Sequence, residues 1–239
     1  HYPTEFIAGL LTHDPGMYPR RLLLAEARRL GVNILPIDVN HSTDEYLVEL
    51  PGRHSSTNSP AVRMALTEVQ AISEAEVQRI IGEQPFASVA DFYTRAKPSR
   101  RTLERLALVG ALDSLAGVDA HTRGDIVARV RELNAIVKRP LIDPHQPTLD
   151  FDVIERIPTG HDELSKEERV EQELAILKMD VTEHVLDKYR EMLDEMGVVR
   201  ADELISLRSK TEVLVAGVRV ATQTPPMRSG KRVVFITLD

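Results

Sequence analysis

The stretch from residue 95 to residue 105 carries five basic residues and a single acidic one, Glu104. Two of its arginines follow Ser99, and serine is a residue type that often caps the start of a helix. A helix start exposes unpaired amides and the positive end of the helix dipole, which both attract anions. Cationic side chains beside a helix start suit sequence-independent contact with nucleic-acid phosphates. The candidate phosphate-binding residues, with the glycine turn that follows, are Arg95, Lys97, Arg100, Arg101, Arg105 and Gly110.

These basic residues belong to a longer stretch, 61–117, that predicts two helical hairpins in tandem. Serines followed three residues later by an acidic residue predict capped helix starts, because the acidic side chain can bond back to the cap amide. The predicted caps are Ser73 with Glu76, Ser88 with Asp91, and Ser99. The first helix is expected to stop at Gly82, and Val109–Leu112 is the expected turn of the second hairpin. A small helical bundle with a solvated basic face explains the same pattern, and periodicity favours neither interpretation.

The composition is that of an ordinary globular protein, with 42% hydrophobic and 28% charged residues among 239. The net charge is −7, so any contact with nucleic acid must come from local basic patches. The sequence has no cysteine, which excludes disulfides and cysteine-based zinc sites and agrees with a reducing compartment. No apolar run approaches membrane-spanning length, and the first residues do not form a signal peptide.

The remaining pattern predicts a chain that is mainly helical, with short strands on either side of the hairpins. An alternating stretch at 44–50 is expected to pair with 61–66 as a small β-hairpin. The prolines of 138–147 exclude a regular element there. A first helix is predicted to start at Pro3 and to include Leu10 and Leu11. Further helices are predicted at 19–30, 121–137, 164–179 and 185–196, an extended segment at 32–35, and strands at 212–220 and 232–238.

Catalytic chemistry is not visible in the sequence. The eight histidines lack metal-ligand spacing, and the carboxylates do not form a convincing metal-binding pair. Asp180 and His184 lie one helical turn apart, but surface pairing or packing is the expected role. We therefore predict no catalytic residue, no metal and no cofactor within this chain.

Motifs along the whole chain resemble bacterial C-family DNA polymerases, the DNA polymerase III alpha subunits and their error-prone relatives. The order of these motifs carries the resemblance, since each is short. They are His1–Phe6, Glu26–Gly31, Leu35–Asn40, Pro85–Ser88 with Asp91 and Phe92, Arg100 and Arg101 leading to Gly110–Asp113, the neighbourhood of His184, Ala216 with Gly217, and Ile236–Asp239.

The resemblance implies a fragment whose fold is mainly α and divided into several domains. The implied divisions are the end of a fingers domain (1–43), a β-hairpin with a tandem helix-hairpin-helix DNA-binding module (44–117), a helix and linker (118–163), connecting helices (164–211) and the first strands of an OB-fold barrel (212–239). The parent protein would be a DNA-directed DNA polymerase of the bacterial cytoplasm and nucleoid, acting in replication or error-prone lesion bypass. Its palm domain, which would bind Mg²⁺, would lie upstream of this fragment.

The first hairpin departs from the family pattern. Members usually carry a basic residue and two glycines where this chain has Gln70, Ala71 and Ser73. Glycine permits a positive φ and close approach to a phosphate, so this hairpin is expected to bind DNA more weakly than the second. Gln70 and Ser73 are nevertheless candidate contacts with duplex DNA.

Two further binding segments are implied by the resemblance. The loop between the last two strands is expected to touch single-stranded DNA through Arg228, Lys231 and Arg232, with Phe235 as a weaker candidate. Gln146, Leu149 and Phe151 match the internal Gln-x-x-Leu-x-Phe peptide with which this family binds the ring-shaped sliding clamp. The expected partners are therefore duplex and single-stranded DNA, the clamp, and other replication or translesion proteins. A structural or adaptor fragment and a module of a repair nuclease are the alternative functions.

Overall fold

The computed structural model describes residues 2–14, 16, 18–51, 59–116, 121–136, 156–225 and 232–238. These residues are mostly helical and include small β-sheets, as the sequence predicts. The α-helices are α1 (Pro3–His13), α2 (Arg20–Arg29), α3 (Glu74–Glu83), α4 (Val89–Ala96), α5 (Arg100–Leu108), α6 (Arg123–Ile136), α7 (Lys166–Ile176) and α8 (Arg190–Glu195). The strands are β1 (Asn33–Leu35), β2 (Leu47–Glu49), β3 (Ala61–Arg63), β4 (Arg219–Gln223) and β5 (Phe235–Leu238).

A three-stranded sheet leads into the helical hairpins. Its central strand β3 pairs antiparallel with β2, which confirms the predicted β-hairpin, and parallel with β1. The predicted strand at 61–66 is shorter in the structure, because the chain turns into a 3₁₀ helix at Leu66–Glu68. The sequence predicted β1 as extended, but its pairing with β3 depends on tertiary contacts.

One hydrophobic core joins the sheet to the helices on both sides of it. Fully buried side chains include Leu24 of α2, Ile80 of α3, Phe92 of α4 and Leu106 of α5. Burial of each such side chain stabilises the fold by about 1.5–3 kcal/mol. Val181, which follows α7, belongs to the same core and brings the later helices against the hairpins.

Arginines of α2 hold the segment after α7 in place. The Arg21 guanidinium donates to the buried carboxylate of Asp180 at 2.8 Å, and its other end lies 3.4 Å from the His184 ring. Arg28 donates to the backbone carbonyls of Asp180 and Val181 at 2.6 and 2.9 Å. Asp180 and His184 therefore contribute to the packing between α2 and this segment.

The last part of the chain differs from the predicted elements. The predicted strand at 212–220 is wrong over most of its length, since β4 begins only at Arg219. Val213 to Val215 form an apolar run typical of a buried strand, but they are 40–47% exposed and Leu214 makes only an isolated bridge to Val198. The predicted helix at 185–196 is also shorter, because a 3₁₀ turn precedes α8. β4 and β5 form an antiparallel pair, and an OB-fold barrel stays a prediction.

In the part of the chain that the structure describes, no helix has the length and apolar character needed to cross a membrane.

Candidate nucleic-acid interface

The first hairpin consists of the 3₁₀ helix Leu66–Glu68, a tight turn and α3. Ser73 caps α3 through a complete capping box with Glu76, as the sequence predicts. Its φ of −88° is an ordinary one, so Ser73 occupies a conformation that does not require glycine. Ala71, in contrast, adopts a φ of +61°, a left-handed conformation that strains any residue with a Cβ.

The second hairpin joins α5 to the 3₁₀ helix Asp113–Ala116 through the predicted turn at Val109–Leu112. Gly110 has a φ of +81°, and a Cβ there would lie 2.1 Å from the Arg123 guanidinium. That guanidinium forms an ion pair with Asp113 at 2.6 Å. Gly110 is therefore required both by the turn and by the close approach of Arg123.

The basic residues at the start of α5 lie far from the Gly110 turn. Arg100 and Arg101 begin the helix, whereas Gly110 follows its last turn. At 1.5 Å per residue, the two ends are separated by about 13 Å along the helix axis. The sequence suggested one combined phosphate site, but the structure places these groups at opposite ends of α5.

The start of α5 instead lies beside the start of α3. The Ser99 amide, which precedes α5, donates to Glu76 Oε1 at 2.7 Å. Glu76 Oε2 accepts from the Ser73 amide at 3.1 Å. Burial by itself disfavours the charged carboxylate, but these hydrogen bonds outweigh it and lower the pKa of Glu76 to about 2. The two capped helix starts are thus held together by one ionised carboxylate.

Arg105 extends from α5 to the turn of the first hairpin. Its guanidinium donates to the backbone carbonyl of Gln70 and lies 3.4 Å from the Gln70 side-chain oxygen. Burial lowers the pKa of Arg105 and the charge of Arg101, one helical turn away, lowers it further. The Gln70 amide donates to Ile176 of α7 at 3.1 Å, so this amide is used within the protein.

α5 therefore places one basic side chain, Arg105, at the turn of the first hairpin, which has no basic residue of its own. This contact is not evident from the sequence, because Gln70 and Arg105 are 35 residues apart. The spacing of Arg101 and Arg105 by four residues was the available signal, since it places both on one face of α5.

The other predicted basic residues have different surroundings. Arg95 bonds to Glu83, Pro85 and Asp91, so it joins the end of α3 to α4. Lys97 is exposed at the end of α4, with a φ of +45°. Arg100 and Arg101 are exposed, and neither forms an ion pair with another of the described residues.

The predicted single-strand and clamp contacts are only partly within the described residues. Arg232 and Phe235 are described and exposed. Arg228 and Lys231, and the clamp-peptide residues Gln146, Leu149 and Phe151, lie outside the described residues. Among the side chains that the structure describes, no group of three or more His, Asp or Glu residues could hold a metal ion.

Known proteins similar to this chain cover both the hairpins and the rest of its length. A family described as the helix-hairpin-helix motif matches residues 31–122, which include both hairpins. Error-prone DNA polymerases from Symbiobacterium thermophilum and Dechloromonas aromatica are 30% and 32% identical to the chain over its entire length. A protein of the same name from Corynebacterium efficiens is 32% identical, also over the whole chain.

The chain spans only part of these relatives, namely 25% of the Symbiobacterium protein, 22% of the Dechloromonas protein and 20% of the Corynebacterium protein. The matches confirm the resemblance to C-family DNA polymerases that the order of motifs indicates. Along its whole length, this chain is homologous to a region of the bacterial error-prone DNA polymerases.

Proposed function

We propose that this region binds the backbone of duplex DNA for a bacterial error-prone DNA polymerase whose catalytic, Mg²⁺-dependent palm lies elsewhere in the protein. The observation that carries the proposal is the contact of Arg105 with the turn of the first hairpin, next to the paired starts of α3 and α5. Arg101 lies one helical turn before Arg105 on the same helix. The relatives' name and the helix-hairpin-helix match support it independently.

The arrangement suits phosphates more than bases. Arginines hold phosphate oxygens through charge and bidentate hydrogen bonds, and such contacts fix position without reading sequence. Arg100 and Arg101 are exposed at the start of α5, which is the positive end of the helix dipole. Because the net charge of the chain is −7, this local patch must supply the attraction.

The test replaces Arg100 and Arg101 with alanine and measures affinity for two unrelated duplexes over a salt series. Affinity should fall about equally on both sequences. The slope of log K against log salt should flatten by about 0.9 for each lost phosphate contact. Replacing Gln70 and Ser73 should have less effect.

The matched control is the double change Arg208→Ala and Lys210→Ala, which removes the same charge from exposed positions elsewhere in the chain. An unchanged slope in the Arg100 and Arg101 variant, or an equal change in the control, would contradict the proposal.

We further propose that Gln146, Leu149 and Phe151 bind the sliding clamp of the replication machinery. The basis is the Gln-x-x-Leu-x-Phe pattern and its position after the hairpin module. Two apolar anchors buried in a partner's pocket would contribute roughly 1.5–3 kcal/mol each, less the cost of ordering the peptide. Replacing all three residues with alanine should abolish pull-down by the cognate clamp and leave the melting temperature unchanged.

The control for the clamp experiment changes Pro147 and Asp150, which lie within the same peptide but are not its anchors. Clamp binding that survives the triple change would refute the proposal. A large loss of stability would show instead that Leu149 and Phe151 pack within this chain.

Single-stranded DNA is the third proposed ligand, and it would meet the loop between β4 and β5. Phe235 is 56% exposed at the start of β5, which leaves its ring accessible for stacking on a base. In the full-length protein, charge reversal at Arg228 and Arg232 should weaken binding to an oligo-dT strand. Unchanged affinity would show that this loop is only a connection.

A further inference from the structure

Glu76 is unusual among the capping residues of this chain because its carboxylate serves two helices. Its side chain belongs to α3, and Oε2 accepts from the amide and the hydroxyl of Ser73 at 3.1 and 2.9 Å. The other oxygen, Oε1, accepts from the amide of Ser99 at the start of α5. Glu76 is only 8% exposed, so water competes little for these bonds.

Arg79, one turn further along α3, bonds to the other side of the corner between α4 and α5. Its guanidinium donates to the carbonyls of Ala96 and Lys97, at the end of α4, at 2.7 and 3.2 Å. A cation thus meets the negative end of α4, and the anion of Glu76 meets the positive end of α5. Both ends of the α4–α5 corner are therefore fixed by charges from α3.

We infer that Glu76 and Arg79 are positioning residues that set the orientation of α5, and with it Arg100 and Arg101, relative to the first hairpin. This inference rests on the proposed binding of duplex DNA and explains how both hairpins can contact one duplex. A rigid spacing matters because phosphates on a duplex have fixed separations, and contacts held in register need no reordering on binding.

The chain offers a matched control for Glu76. Glu168 forms the same capping box with Ser165 at the start of α7, where the Ser165 amide donates to Glu168 Oε2 at 2.8 Å. Glu168 is exposed, and within the described residues its carboxylate accepts only from Ser165. Glu76→Gln and Glu168→Gln therefore remove the same capping charge, but only the first removes a link between two helices.

The first measurement does not depend on DNA. Backbone NMR of the 239-residue chain would follow exchange of the Ser99 amide and the residual dipolar couplings of α3 and α5. In Glu76→Gln, a side-chain NH₂ replaces one acceptor oxygen, so Ser99 exchange should rise at least tenfold. The α5 couplings should shrink relative to those of α3. Glu168→Gln should change neither.

The second measurement repeats the duplex titrations over the salt series. We expect Glu76→Gln to weaken binding by roughly tenfold, because linked contacts that cannot engage together lose their avidity. The salt slope should flatten by about 1–2. A variant that merely populates less folded protein would lose apparent affinity but keep the wild-type slope. Arg79→Ala should act in the same direction, and it serves in place of Glu76→Gln if that variant does not fold.

The outcomes separate this inference from the function on which it rests. Unchanged α5 couplings in both Glu76→Gln and Arg79→Ala, or changed couplings with an unchanged salt slope, would overturn the positioning role. A wild-type chain without salt-dependent duplex binding would refute the proposed function, and the couplings would still decide whether Glu76 and Arg79 set the orientation of α5.

Discussion

Replacing Gly110 with alanine should destabilise the protein for two separable reasons. The first is conformational, since a φ of +81° costs a residue with a Cβ about 1–2 kcal/mol. The second is steric, since the new Cβ would lie 2.1 Å from Nη2 of Arg123 and 2.7 Å from the Asp113 carboxylate. Moving Arg123 away would break its partly exposed ion pair with Asp113, at a cost of about 1 kcal/mol. We expect a total loss of about 2–3 kcal/mol.

Gly31 provides the control for the conformational cost. Its φ is +74°, and a Cβ built on it would have no heavy atom within 4 Å. Gly31→Ala should therefore cost only about 1–2 kcal/mol. Urea unfolding followed by far-UV circular dichroism would measure both free energies of unfolding.

Measuring Gly110→Ala in an Arg123→Ala background completes a double-mutant cycle. In that background the cost of Gly110→Ala should fall to that of Gly31→Ala, because the obstructing guanidinium is gone. Equal costs for Gly110→Ala and Gly31→Ala in the wild-type chain would refute the steric part of the reasoning.

Three other predictions concern the hairpin module and the helix that follows it. Ala71→Gly should raise the free energy of unfolding by about 1–2 kcal/mol in urea, because it relieves a φ of +61°; a decrease would contradict this. Since the pKa of Glu76 is depressed to about 2, its contribution of roughly 3 kcal/mol should be complete above about pH 4.5 and be lost as the pH falls through 2. Acid titration of stability in Glu76→Gln should lack that part of the slope, and a wild-type slope would refute it. Gly124→Ala should raise hydrogen exchange at 160–164, because the new Cβ would lie 2.1 Å from the Asp162 carbonyl; unchanged exchange would show that the contact adapts.

The sequence by itself predicted the features that depend on near neighbours in the chain. The caps at Ser73, Ser88 and Ser99 were correct, because a capping side chain bonds to an amide only three residues away. The turn at Gly110 was correct for a similar reason, since few residue types other than glycine adopt its φ. The pairing of β2 with β3 followed from alternation in both segments.

The sequence pattern was not sufficient to predict where strands begin or with which strand they pair. Val213–Val215 form an apolar run typical of a strand, but most of the predicted strand has no partner among the described residues and β4 starts later. β1 was expected to be extended, yet nothing in its three residues indicated a parallel pairing with β3. A strand is stabilised by the ladder that it joins, and that ladder is formed by residues distant in the chain.

The candidate site was decided by tertiary structure. The sequence supplied the basic residues and identified the helix starts, but it grouped Arg100 with Gly110 because they are close in number. Folding places these residues at opposite ends of α5, and it brings Arg105 to Gln70 and Ser99 to Glu76 instead. Such contacts arise because helix packing and buried hydrogen bonds fix the relative placement of α3 and α5, and local propensity contains no information about that placement.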